Sequence, residues 1–165
     1  RYDVAADALR RRLRVGEAMS PPLMRVVRSH MRAESAARGL DVLVDAPPGV
    51  SCPAMSAVAD SDVIVLVTEP TPFGFYDFSL AVEAFAPLGK PMAVVVNRAG
   101  LGDGRVYEYC RERGLPIVTE IPYRRDIAEH YSNGNVLAEL DGDMGARFEG
   151  LCLTLQRLAE GGSHA

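Results

Sequence analysis

The chain has little lysine, no broad basic field, no long apolar run and few cysteines, and each shortage excludes something. Lys90 is its only lysine, and arginine supplies the rest of the positive charge, a preference that genomic base composition alone would produce. Against 18 Lys and Arg stand 22 Asp and Glu, for a net charge of −4 over 165 residues. That balance argues against bulk nucleic-acid or anionic-membrane binding as the main task. No apolar stretch approaches the roughly 20 residues that span a bilayer, and the first residues lack the layout of a signal peptide. Cys52, Cys110 and Cys152 are odd in number, widely spaced, and form no CxxC pair or Cys/His cluster. They read as reduced thiols of a cytosolic protein, with Cys152, in a helical pattern, either buried or incidental.

What is present is 48% hydrophobic sequence without internal repeats or low-complexity stretches, enough for one domain spanning residues 1–165 with a real core. Four runs carry the strand signal: Asp41–Asp45 (DVLVD), Asp62–Thr68 (DVIVLVT), Pro91–Asn97 (PMAVVVN) and Leu115–Ile121 (LPIVTEI). Each is nearly continuous in Val, Ile and Leu, the pattern of strands covered on both faces of a parallel sheet. A polar fifth run, Ala8–Val15, would be an edge strand. Helices are expected after Ser20-Pro21-Pro22, where a serine N-cap precedes proline and Leu23, Val26, Val27, His30 and Met31 recur at helical spacing. Others fall at about Cys52–Ala59, Tyr76–Leu88, Arg105–Arg113, Asp126–Ser132 and Met144–Ala159, with a frayed tail over Glu160–Ala165. Regular alternation of strand and helix predicts an α/β fold, a doubly wound and mainly parallel sheet with helices on both faces.

In such a sheet ligands bind at the carboxyl ends of the strands. Those ends are Asp45, Thr68-Glu69, Asn97 and Pro122-Tyr123. Asp45, closing an apolar strand, has two readings: a carboxylate that holds Mg²⁺ through a water, or a loop cap accepting N–H bonds from Gly49 or Val50. The Pro47-Pro48-Gly49 turn is stiff where the prolines fix φ and free where glycine permits close approach, which suits a switch loop or a plain connection. Asn97, beside Arg98, offers donor and acceptor to a purine edge or serves as a turn residue. Pro122-Tyr123 would set a rigid ring and an aromatic near the same base. The loop Glu69-Pro70-Thr71-Pro72-Phe73-Gly74 is a second stiff element, with Asp77 as a candidate cap for the helix after it.

Taken together, "RLRVGEAMSPPLMRVVR", "DVLVDAPPGVSCP", "DVIVLVTEPTPFGFYDFSLAVE", "PMAVVVNRAGLGD" and "YCRERGLPIVTEIPYRRDIAEHYSNG" resemble the MinD/ParA-type P-loop ATPases, in the branch with an inserted ferredoxin domain. The resemblance runs from about Leu9 to Leu158. It implies an ATP-binding, ATP-hydrolysing iron–sulfur protein, cytoplasmic and dimeric, that couples ATP to electron transfer or cluster delivery. Asp45 then matches the Walker B carboxylate that holds Mg²⁺ through water, and Ala46, Pro47, Pro48 and Gly49 match the switch II loop. Asn97 and Pro122 match adenine-binding positions, with Arg98 and Tyr123 beside them. Cys52 matches a cysteine that commonly follows the PPG turn in this branch, where it would either touch an iron–sulfur cluster or pack, packing being the favoured reading.

The departure from that pattern is large. The Gly-rich loop ending in GK[ST] is missing, and the one Gly-Lys, Gly89-Lys90, precedes a proline and a strand instead of a helix. The cysteine runs of a ferredoxin insert are absent too. The chain, which opens on Arg1, is therefore expected to be the C-terminal half of a protein about twice as long. Alone it is expected to be inactive, and a sheet short of a strand would favour self-association. The ATP and the Mg²⁺ would be held jointly with the upstream half, the iron–sulfur cluster would lie in the missing upstream insert, and a redox or iron–sulfur client would be the partner. The alternatives are a non-catalytic binding or scaffold module on the same fold, or a ligase of the biotin or cobalamin pathways with its substrate near Thr68–Gly74.

Overall fold

Strand β1 (Ile64–Thr68), β2 (Met92–Ala99) and β3 (Ile117–Pro122) form one parallel sheet in the order β1-β2-β3. The computed structural model describes residue 33 and residues 35–162. The expected strand Ala8–Val15 and the helix after Ser20 lie outside the described residues. The chain divides into two units, residues 1–44 and 45–165.

In the first unit, helical residues 35–38 end at Gly39, where φ is +62°. Ser35 Oγ donates to the Leu40 carbonyl at 2.6 Å, and the Leu40 amide donates back to the Ser35 carbonyl at 3.2 Å. The chain then runs on outside any sheet. Asp41–Asp45, expected as a buried strand, is not one: Leu43 is 87% exposed, with Val42 and Val44 exposed beside it. Valine and leucine suit a strand, but a strand exists only where a neighbour takes up its N–H and C=O groups. Among the described residues no strand pairs with this run.

The second unit opens with helix α1 (Cys52–Val58), whose proline near the start needs no N–H partner. Helix α2 (Pro72–Phe85) follows β1 and passes through a 3-10 turn, Ala86–Leu88, into β2. Helix α3 (Arg105–Arg113) returns the chain to β3 and stops at Gly114, where the Leu115 amide bonds the Cys110 carbonyl at 2.8 Å. Helix α4 (Arg125–Ser132), a 3-10 turn at Leu137–Glu139 and the long helix α5 (Gly142–Gly162) complete the unit. Asp141 opens α5 by accepting the Met144 amide at 2.7 Å on Oδ1.

The β-branched run in β2 explains its central place. Ala93, Val94, Val95 and Val96 are all buried, so both faces of that strand are covered. Leu66 pairs with Val94 and Thr68 with Val96. Around these, Ile64, Leu66, Val94 and Val96 pack against Phe78, Val82 and Phe85 of α2 and Val106 and Cys110 of α3. Each buried side chain of this size contributes about 1.5–3 kcal/mol. This much is an α/β fold with an open, three-stranded parallel sheet. Among the described residues no helix is long and apolar enough to cross a membrane.

Candidate functional site

The parallel register gathers the strand ends on one edge. Thr68 ends β1 opposite Val96, and Asn97 follows at once on β2. Asn97 pairs with Ile121 and Ala99 with Pro122, so Arg98 is the extra residue of a bulge. Its φ of +53° makes it the one non-glycine with a left-handed backbone among the described residues. The Arg98 amide donates to Asn97 Oδ1 at 3.0 Å. A bulge re-aims a side chain, and here the guanidinium turns back toward β1. Beyond the bulge the Tyr123 amide donates to the Ala99 carbonyl at 3.0 Å, which leaves the Tyr123 ring exposed beside the same edge.

Two contacts stiffen the β1 side of this edge. Thr71 caps α2, its hydroxyl accepting the Gly74 amide at 3.0 Å, while buried Thr68 donates to the Gly74 carbonyl at 3.1 Å. A Cβ on Gly74 would sit 2.4 Å from the Glu69 carbonyl oxygen, so only glycine lets the helix start this close to the strand end. The cap is therefore Thr71. Asp77, expected to cap this helix, lies inside it instead, because Thr71-Pro72 provides both a hydroxyl acceptor and a residue pre-set for the first helical position.

A cleft of about 490 Å³ opens over this edge, lined by Pro48 and Gly49, by Leu66 to Glu69, by Thr71, Phe73, Gly74, Asp77 and Phe78, and by Asn97. The structure thus brings Pro48, Gly49 and Asn97 together with Thr68 and Glu69. Asp45 is exposed and does not line the cleft, and Pro47 is half-buried just before it. Arg98, Pro122 and Tyr123 stand on the same sheet edge outside the lining. Among the described residues the titratable side chains that line the cleft, Glu69 and Asp77, are both acids. Lys90 lies at the amino end of β2, the opposite edge of the sheet.

Among the described residues no three His, Cys, Asp or Glu side chains converge as metal ligands. Cys52 and Cys152 are exposed, and Cys110 is buried, where desolvation pushes its thiol up to about 11. Sequence reading missed the ion pair between Glu69 and Arg98 and the close seat of Gly102 on Pro70. Neither has a local signal, since the partners are about 30 residues apart in the chain.

Two relatives are known only as uncharacterized proteins of Methanocaldococcus jannaschii. The chain is 32% identical to MJ0579 over 93 residues, 56% of this chain and 31% of that protein. It is 30% identical to MJ0578 over 110 residues, 67% of this chain and 38% of that protein. The chain thus spans about a third of the length of the curated relatives it matches. No family model and no solved structure matches it.

Proposed function

We propose that this chain is the C-terminal part of a MinD/ParA-type ATPase with an iron–sulfur insert, which couples ATP to electron transfer or to the handling of a cluster. The observation that carries the reading is the shared edge: Thr68, Asn97 and Pro122-Tyr123 end three adjacent parallel strands beside a cleft that the Pro48-Gly49 turn enters.

The residues fit the base of a nucleotide better than its phosphates. Asn97 Oδ1 is engaged by the Arg98 amide, so the Asn97 amide group is left to donate to a ring nitrogen or carbonyl of the base. The exposed Tyr123 ring offers it a stacking face. Among the described residues no lysine or arginine lines the cleft, so in this reading phosphate charge is met by Mg²⁺ and by a lysine-bearing loop of the longer protein. Bound Mg·ATP supplies the phosphoanhydride to be cleaved. Asp45, exposed at the start of the PPG turn, would hold a water of the ion's shell, and Gly49, with φ +78°, lets that turn move against a terminal phosphate. The described cysteines do not fit an iron–sulfur cluster, being three isolated thiols, so the cluster belongs to the other part of the protein.

The test is calorimetry of Mg·ATP with the natural full-length protein and with residues 1–165. Binding by the long form alone, lost in Asp45→Ala, supports the reading. A long form that binds no nucleotide leaves the scaffold module as the function.

A further inference from the structure

Helix α2 uses one face for the core and leaves another without a use in folding. Phe78, Val82 and Phe85 are buried against the sheet. On the far side Phe73, Tyr76 and Leu80 recur at i, i+3 and i+7, which places them on one stripe. Phe73 is 76% and Tyr76 60% exposed, and Leu80 is exposed below them. Two large aromatics left in water along one stripe are unlike the scattered single apolar residues that any surface carries. The stripe continues into the cleft, which Phe73 and Asp77 help to line.

Charge on this face has one sign. The helix carries two charged residues, Asp77 and Glu83, and no cation. Asp77 lies on the stripe with no ion pair or hydrogen bond among the described residues, whereas Glu83 meets Arg113 at 3.9 Å. Glu69, where the stripe enters the cleft, is already paired with Arg98, so Asp77 is the carboxylate this face holds open to a partner.

We propose that the face Phe73–Tyr76–Leu80, with Asp77, docks a cationic amphipathic helix of a partner protein, whose apolar side chains cover the stripe and one of whose Lys or Arg side chains meets Asp77. Charge selects this occupant. A nucleic acid or an anionic membrane would set phosphates against Asp77. A second copy packed about a two-fold axis would bring Asp77 toward its own equivalent, with no cation on the helix to answer it. The proposal stands apart from the nucleotide reading, since the stripe needs no bound nucleotide to be apolar and acidic.

The experiment is fluorescence anisotropy of a labelled synthetic amphipathic helix of leucine and lysine, titrated with the full chain, with a leucine–glutamate helix as its counterpart. The lysine helix is expected to bind at least about tenfold more tightly than the glutamate helix. Asp77→Lys and the double variant Phe73→Ser/Tyr76→Ser are each expected to weaken it about tenfold. Glu112→Lys, the same change of net charge at an exposed position on α3, leaves binding within about twofold. Circular dichroism of each variant checks that the fold is kept, and Tyr76→Lys, which removes an aromatic of the stripe and repels a cationic helix, is expected to repeat the loss at a single exposed site. Equal binding of the two peptides, or a loss from Glu112→Lys as large as that from Asp77→Lys, overturns the proposal.

Discussion

Arg98 reaches back along the carboxyl edge of the sheet to Glu69, with Nη1 3.4 Å from Oε2 and Nε 3.4 Å from Oε1. The two residues end neighbouring strands. Arg98 is 54% exposed at its side chain, so solvent screens the pair and it contributes at most about 1 kcal/mol. Its left-handed backbone costs about 1–2 kcal/mol. The two terms nearly cancel. Arg98→Gly is therefore expected to unfold within about 1 kcal/mol of the parent, because glycine loses the pair and relieves the backbone together. Arg98→Val, β-branched in the same conformation, should fall about 1–2 kcal/mol below Arg98→Gly in urea titrations. Equal stability of the two variants would mean that the bulge relaxes freely.

Gly102 and Gly89 make a matched pair. Both have positive φ, +69° and +63°. A Cβ at Gly89 meets nothing within 4 Å, while one at Gly102 would fall 1.5 Å from the carbonyl oxygen of buried Pro70. Gly89→Ala should cost about 1 kcal/mol from backbone strain alone. Gly102→Ala has to push two loops apart as well and should cost about 3 kcal/mol or more. Thermal unfolding of both variants reads the difference directly.

Asp141 ties α5 to α4 through its neighbours. Its carboxyl is held below the usual carboxylate range, first by the Met144 amide and then by Arg124, which also binds Asp126. A carboxylate whose folded pKa is depressed stabilises the fold above its ordinary pKa of about 4 and loses that contribution as pH falls through the folded value. Asp141→Asn keeps an acceptor for Met144 but not the charge. It should be less stable than the parent at pH 7 and converge on it near pH 2, in urea titrations run at both values.

The thiols should divide by burial. Cys110 is 2% exposed and its pKa is pushed up to about 11, so little thiolate exists at pH 8. Iodoacetamide at that pH should alkylate the exposed Cys52 and Cys152 in the folded protein and leave Cys110 unmodified until denaturant is added. Mass spectrometry of the tryptic peptides gives the answer.

The sequence made the sheet and its helices legible because their signals are local and dense. The valine run at 93–96 demanded a strand covered on both faces, and β2 has that character. Helix α3 spans the expected Arg105–Arg113, since its arginines and Gly114 mark its end. Where the reading failed, the deciding partner was not local. Asp41–Asp45 has the composition of a strand, but among the described residues no strand pairs with it. The start of α2 was placed at Tyr76 instead of Pro72, because the Phe73-Gly74 pair masks a cap that Thr71 provides. At the site, Pro48, Gly49 and Asn97 could be read from strand ends, but the bulge at Arg98 depends on how β3 registers against β2.

The seat of Pro70 bears on what the rim can do. Its carbonyl accepts the Asp103 amide at 3.0 Å, Gly102 packs against it, and the proline itself is buried. The loop leaving β1 and the loop leaving β2 are thereby bolted to one another. Glu69 and Asn97 sit on a jaw of fixed gauge, and the turn that faces them across the cleft, Pro48-Gly49, has a glycine at φ +78°.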